Sequence, residues 1–322
     1  MIKVEDLEFV GSGLHRPECV LASADGCLHV ADWRGGVTVI HPDGAQETVL
    51  AEGEFKPKAN GIALLQDGSW LIAHLGEQDG GVYHLDPQGK LTPFLLEVEG
   101  QELPPTNFVQ LDGQGRAWVT VSTRLAPRSR GYRPDCSDGF IVLADEEGAR
   151  IVADGLGYTN ECHIHPETGH LFVNETFARR LTRYEVSPGS ELTNRQTIAE
   201  FGPGTFPDGL TFDAEGGIWI TSIVSNRVIR VLEDGTQDVV LEDSDPAYLE
   251  YVEKAYLSHS MGREHLDRTA GRRLRNISSL AFGGEDRKTA YLGCLLGDKI
   301  ATFRSTVAGL EPYHWHFARP DT

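Results

Sequence analysis

Six residues recur at one place in a repeated block: Glu18, Asn60, Asn107, Asn160, Asp208 and Ser278. Five of them open the same pattern of polar residue, apolar residues, glycine turn and second apolar run, as in Asn60-Gly-Ile-Ala to Asp67-Gly68 to Trp70-Leu-Ile-Ala-His74. From the polar residue to the turn glycine the spacing is 8, 8, 8, 9 and 8 residues, a register that chance does not hold five times. Ser278 opens a looser sixth copy with a turn rich in Gly283, Gly284, Glu285 and Asp286. The six side chains offer two carboxylates, three amides, one hydroxyl and no cation. Gathered in one dry place they carry about −2 of charge, which demands a counter-ion or proton uptake. Hard oxygen donors without His or Cys point to one divalent metal ion, Ca²⁺ first, with Mn²⁺, Mg²⁺, Fe²⁺ and Zn²⁺ as the other ions to test. Asn60-Gly61 and Asp208-Gly209 also fit as plain turn dipeptides. That reading leaves Glu18, Asn107 and Asn160, which precede Cys19, Phe108 and Glu161, without a role.

The elements that bring these residues together follow from the repeat. The six positions lie 42, 47, 53, 48 and 70 residues apart, a little above the 40 to 45 of a four-stranded propeller blade. After each opening pair come two further strand-like runs, such as Val37-Thr-Val-Ile40 before Asp43-Gly44 and Val228-Ile-Arg-Val231 before Asp234-Gly235. The expected fold is therefore all-β, a six-bladed β-propeller forming a single domain over 1–322. In that fold the first strand of every blade lines the central channel, so the six residues meet.

Composition narrows the function. Acidic residues outnumber basic ones 48 to 29, for a formal charge of −19, which opposes binding to phosphate backbones or anionic lipid. A small-molecule substrate is the expected partner, with neither nucleic acid nor membrane; a homo-oligomer is left open. No apolar run approaches the roughly 20 residues of a membrane span. The segment Met1-Ile-Lys-Val-Glu-Asp6 carries acids where a secretory signal is basic and then apolar, so a cytoplasmic address is expected. Five scattered Cys without a Cys-x-x-Cys pair read as reduced thiols.

Two long intervals imply insertions. From Asp245-Pro246 onward Tyr248, Tyr251, Val252, Ala255, Tyr256 and His259 recur at helical spacing, with Ser244 or Asp245 as the N-cap. This predicts a helix of about four turns between blades five and six, within an insertion over about 245–275. The basic run Arg268 to Arg275 reads first as a solvated face, with binding of an anionic substrate or a partner chain as the alternative. The other insertion, Ser122 to Ser137, holds Arg124, Arg128, Arg130 and Arg133 and is expected as a loop beside the channel mouth or as an interaction surface. Competing motifs are weak: there is no Gly-x-Ser-x-Gly elbow, and His163-Ile-His165 lacks a third zinc ligand at suitable spacing. His314-Trp-His316 is expected in a last strand that closes the ring by edge pairing.

Pro17-Glu18, Ala59-Asn60-Gly61, Pro105-Thr106-Asn107, Thr159-Asn160 and Phe206-Pro207-Asp208-Gly209-Leu-Thr-Phe-Asp-Ala-Glu-Gly-Gly-Ile-Trp219 resemble the senescence-marker protein, gluconolactonase and luciferin-regenerating enzyme family over about residues 10 to 315. That family is similar to the phosphotriesterase propellers typified by diisopropylfluorophosphatase. The resemblance implies a six-bladed propeller with one catalytic divalent metal that hydrolyses sugar lactones or related esters. It places metal ligands at Glu18, Asn160 and Asp208, with Asn107 binding metal or substrate. Two departures stand out. Glu18-Cys19-Val20 and Asn107-Phe108 replace the family's Glu-Gly-Pro and Asn-Asp, and Pro105 stands where sugar-lactone members often carry Arg. Phe108 therefore suggests a less polar substrate.

A carbonyl on the ion becomes more electrophilic, and water attacks with help from a base. Asp208 is the first candidate for that base and Glu18 the second. Asn60, Asn107, Ser278, Phe108, His74 and Arg124 are candidate substrate contacts, as are Trp33, Arg34 and Glu175 on the rim. Two alternatives remain at this point: an organophosphate hydrolase using the same ring, and a non-catalytic propeller whose ion only pins the blades while the rim binds a ligand.

Overall fold

The computed structural model describes residues 1–269 and 271–317. Six four-stranded antiparallel sheets form a six-bladed propeller. Their first strands are Val20–Ala22, Ala59–Leu64, Thr106–Leu111, Thr159–Ile164, Thr205–Phe212 and Ile277–Gly283. Each packs beside the first strand of the next blade, and the sixth beside the first. The second strands, such as Trp70–His74 and Ala117–Val121, are buried along their whole length. Both of their faces meet neighbouring blades, so their sequences run apolar instead of alternating. Fourth strands such as Gln46–Leu50 are mostly exposed, which matches their polar composition. The turn glycines of the five clear blocks, Gly26, Gly68, Gly115, Gly169 and Gly216, all have φ between 71° and 83°. Only a residue without Cβ takes that left-handed position freely, which explains their fixed register in the sequence.

Ring closure differs from the expectation. The edge partner of the last strand, Ile300–Arg304, is Glu8–Val10 from the other end of the chain, in register Glu8 to Thr302 and Val10 to Ile300. His314-Trp315-His316 is not a strand. It lies in a turn after Pro312, with Trp315 packed among Leu14, Val20 and Ile300. The edge it was expected to pair with is already occupied, and proline lacks the N–H that a pairing strand needs.

The helix spans Pro246–Leu257, about three turns, and ends before His259. Asp245 caps it, accepting from the Tyr248 N–H at 2.9 Å. Its face of Tyr248, Val252, Ala255 and Tyr256 packs on Tyr132, Tyr158, Phe177, Phe206 and Leu295, which come from blades three to six. Burying each of these large side chains contributes about 1.5–3 kcal/mol. Arg179 pins the helix across blades four and five: it pairs with Glu253 at 2.6 Å and lies 3.9 Å over the Tyr256 ring. The insertion therefore caps one end of the channel. No helix among the described residues is long and apolar enough to cross a membrane.

Candidate functional site

The ring residues owe their orientation to a repeated irregularity. In blades two to six the register between first and second strands shifts at the ring position: between Ala59 and Ile62, Thr106 and Phe108, Thr159 and Cys162, Pro207 and Leu210, and Ile277 and Leu280. A bulge re-aims side chains and turns the strand. Glu18 stands just ahead of the first strand of blade one. The glycines of Asn60-Gly61 and Asp208-Gly209 are not there for turns. A Cβ on Gly209 would lie 2.4 Å from the Ser278 carbonyl oxygen, and one on Gly61 would lie 2.7 Å from the Phe108 Cα. They let adjacent first strands approach each other closely.

Donor groups of Asn60, Asn160 and Ser278 are spent on ties within and between blades. The Asn60 amide nitrogen donates to the Asn107 carbonyl at 3.0 Å. That of Asn160 donates to Thr176 Oγ1 at 2.9 Å, whose hydroxyl in turn donates to the Pro207 carbonyl at 2.8 Å. Ser278 donates its hydroxyl to the Glu18 carbonyl at 2.8 Å. What remains is acceptors. Oδ1 of Asn60, Asn107, Asn160 and Asp208 are all buried with no hydrogen-bond donor. Leaving a buried acceptor unpaired costs about 1–3 kcal/mol, more for a charged one, so the four together make an acceptor-rich centre of a kind that suits a cation.

Electrostatics point the same way. Burial pushes the Glu18 carboxyl up to about 8, with Arg16 pulling it down and Glu161 pushing it further up. Burial, then Glu18, then Glu161 hold Asp208 well above the usual carboxylate range, against Arg16. Glu161 is itself raised to about 8 by burial, although it accepts from the Leu210 N–H at 2.9 Å. Glu161 lies 3.4 Å from His163 Nε2 and reaches Glu18 and Asp208 through its charge. Among the described residues no three His, Cys, Asp or Glu side chains group closely enough to hold a metal by themselves. An ion here would need the amide oxygens as well, and that mixed oxygen set suits Ca²⁺, which takes carboxylate and amide ligands in flexible geometry.

Of the residues singled out from the sequence, Glu18, Asn60, Asn107, Asn160 and Asp208 come together at the capped end of the channel. Ser278 is committed to the seam beside Glu18. Phe108 turns away and lines a cavity of about 620 Å³ at the opposite end of the channel, near His163 at 5.2 Å between ring centroids. His74 stands on the rim of blade two, accepting from the Lys58 N–H at 2.8 Å and lying 3.2 Å from Asp79. Arg124 forks onto Asp154 at 2.8 and 2.9 Å. Arg34 pairs with buried Asp32, and Glu175 accepts from Arg180 and Arg195, so both are internal ties. Trp33 carries the Arg16 guanidinium 4.5 Å over its ring.

Glu161 and Arg16 escaped the sequence reading. Glu161 directly follows Asn160, and a bulge aims two successive residues inward where a regular strand would aim one. Arg16 lies two residues before Glu18, in the same turn.

The curated relatives include an L-arabinolactonase of Azospirillum brasilense, 25% identical over 146 residues, which are 44% of this chain and 47% of that protein. The chain spans about half the length of the curated relatives it matches. Among solved structures, a gluconolactonase from Xanthomonas campestris superposes with a TM-score of 0.68 at 17% identity, covering 94% of this chain and 89% of that one. Regucalcin from Agrobacterium tumefaciens, described as a calcium-binding protein, gives a TM-score of 0.65 at 17% identity, covering 96% and 98%. At such identities the structures speak for the fold alone. The family model is more specific: residues 16–243 match the SMP-30/gluconolactonase/LRE-like region, so the chain belongs to that family.

Proposed function

We propose that the protein is a lactonase that opens a cyclic ester with water, using a single divalent ion, Ca²⁺ first, held by Glu18, Asn107, Asn160 and Asp208. The observation that carries this reading is the set of four buried oxygen acceptors without donors, facing buried carboxylates. When bound, such an ion supplies Lewis acidity toward the ester carbonyl and stabilises the negative charge that develops on its oxygen. The chain's own residues do the rest. Asp208 accepts the proton of the attacking water at its carboxylate. The water oxygen bonds to the carbonyl carbon, the ring C–O bond breaks, and the same proton passes to the departing alkoxide, leaving a hydroxy acid. Asn107 and Asn160, from the first strands of blades three and four, orient the substrate and water beside Asp208 of blade five, and the cap of Tyr132, Tyr158 and the helix limits access of bulk water. The family match and the lactonase relatives favour this chemistry.

The test is a chelator-stripped sample assayed against lactones and aryl esters, with each divalent ion restored in turn. Hydrolysis lost on chelation and regained with Ca²⁺ or Mn²⁺ supports the proposal. Turnover that is absent with every ion overturns it in favour of a propeller whose ion only pins the blades.

A further inference from the structure

The two histidine motifs, His163-Ile-His165 and His314-Trp-His316, take no part in the chemistry of the ring, yet three of their four imidazoles line one cavity: His163, His165 and His314. It is the cavity of about 620 Å³ at the end of the channel away from the cap. Its walls come from the stretches of first strand that follow the ring residues, among them Ala22, Leu64, Phe108, Phe212 and Leu280. The segment after the last strand completes the lining. The Leu310 N–H donates to the Phe212 carbonyl of blade five at 2.9 Å, Arg287 of blade six pairs with Glu311 at 2.7 Å, and the Ala24 N–H of blade one donates to the Trp315 carbonyl at 2.7 Å. Three blades therefore hold His314 in place.

One side of the cavity is a chain of rings from blades three, four and five. Their centroids lie 5.2 Å apart from Phe108 to His163, 6.5 Å from His163 to Phe212 and 4.6 Å from Phe212 to His165. Rings at such distances attract one another through face and edge, and a planar guest can extend the chain. Other polar groups of the lining are spent within the fold: Gln110 accepts from the Ile164 N–H at 3.1 Å, and Arg116 pairs with Asp112 at 2.7 Å and donates to Ser190 Oγ at 2.7 Å. His314 is different. Its Nε2 is buried with no hydrogen-bond partner among the described residues. The other ring nitrogen carries the proton, in a hydrogen bond to the Ala22 backbone that favours the protonated form. Burial, with His163 adding to it, depresses this imidazole to about 4, so near neutral pH Nε2 is a bare acceptor. An orphaned acceptor costs about 1–3 kcal/mol, and a guest that donates to it removes that cost. An anion is not the guest, because Glu161 and Glu311 share the lining and its arginine is already paired.

We propose that this cavity is a second binding site, for an uncharged phenol whose ring lies along Phe108, His163 and Phe212 and whose hydroxyl donates to His314 Nε2. The size fits, since small-molecule sites are typically about 300–1,000 Å³, mostly apolar, with a few converging polar groups. The site does not rest on the lactonase reading, because Glu18, Asn107, Asn160 and Asp208 are not part of its lining. The simpler role for the cavity is a water-filled end of the channel. The two roles differ in whether a hydroxyl on an aromatic guest is recognised.

The experiment is calorimetric titration of the full chain in EDTA, at neutral pH, with β-naphthol and with its methyl ether. β-Naphthol should bind saturably at one site. The ether keeps the rings and loses the donor, so it should bind about tenfold more weakly. His314→Leu should weaken β-naphthol by about the same factor, with no effect on the ether. Ala281→Phe, which puts a ring into the cavity from the first strand of blade six, should abolish binding of both. Thermal melts show whether the two variants fold, and the comparison of the two ligands in wild type needs neither. Equal affinity of wild type for β-naphthol and the ether, no saturable binding up to the solubility limit, or unchanged β-naphthol binding in folded His314→Leu protein overturns the site. A protein that opens no lactone with any ion but shows the expected pattern refutes the lactonase reading and keeps the site.

Discussion

Asp208→Asn is the most informative change to the ring, because it keeps the shape of the side chain and removes one charge. In the ion-free protein the Glu18 carboxyl rises from 4.5 to about 8. At 1.36 kcal/mol for each factor of ten, ionising Glu18 there costs about 5 kcal/mol. Asp208 is raised in the same direction, with Glu18 and Glu161 among the causes. Removing its charge relieves that repulsion, so the ion-free variant should be at least as stable as wild type, by about 0–3 kcal/mol. The ion reverses the order. At about 100 times its Kd, Ca²⁺ stabilises wild type by about 2.7 kcal/mol. For 322 residues this corresponds to about 4 °C in Tm. The variant should gain less than about 1 °C and lose lactone turnover. Differential scanning calorimetry in EDTA and then in Ca²⁺, alongside proton release from a lactone, reads all three quantities. A variant that melts well below wild type in EDTA would show that the carboxylate is a satisfied structural partner. An equal Ca²⁺ shift in both proteins would remove Asp208 from the ligand set.

Three further outcomes follow from the same geometry. Glu18 and Glu161 titrate near 8 in the ion-free fold, against about 4.5 when unfolded. Their contribution to stability is full below about pH 4.5 and is lost as pH rises through about 8, and ion binding must expel the proton of Glu18. Apparent Ca²⁺ affinity should therefore climb between about pH 6 and 8.5, and a flat calorimetric profile would contradict the buried carboxylates. Gly209→Ala places a Cβ 2.4 Å from the Ser278 carbonyl oxygen and 2.5 Å from the Ser279 Cα. Forcing the seam apart should cost about 1–3 kcal/mol in urea unfolding and weaken ion binding together; unchanged melting and affinity would refute the close approach. Glu175→Gln strips the charge from a fully buried carboxylate that accepts from Arg180, Arg195, Thr182 Oγ1 and the Gly157 N–H. A loss of about 3–5 kcal/mol is expected from the unpaired arginines. A loss confined to KM would instead make Glu175 a substrate contact.

Much of the fold was legible because its signals are local. The turn glycines stand at one spacing in the five clear blocks because each must adopt the same left-handed φ, and a short-range steric rule leaves a short-range trace. The helix announced itself through its apolar spacing and the Asp245-Pro246 start, although it stops short of His259. Ring closure was not legible. Glu8–Val10 is three residues long, and only its pairing with Ile300–Arg304 makes it a strand. His314-Trp315-His316 looked like a better edge by composition but had no free edge to join.

The candidate site divides along the same line. Periodicity alone singled out Glu18, Asn60, Asn107, Asn160 and Asp208 and indicated that they share one end of a channel, since identical blocks repeated around an axis must place equivalent residues together. Which atoms of those residues remain free is a tertiary matter. Asn60 turns its nitrogen to a carbonyl 47 residues away, which leaves its oxygen to the ring. Glu161 joins the channel lining beside His163, accepting from the Leu210 N–H of the neighbouring blade, and only that long-range contact fixes its place. Burial and long-range charge are properties of the assembled ring, and no window of sequence contains both partners of those interactions.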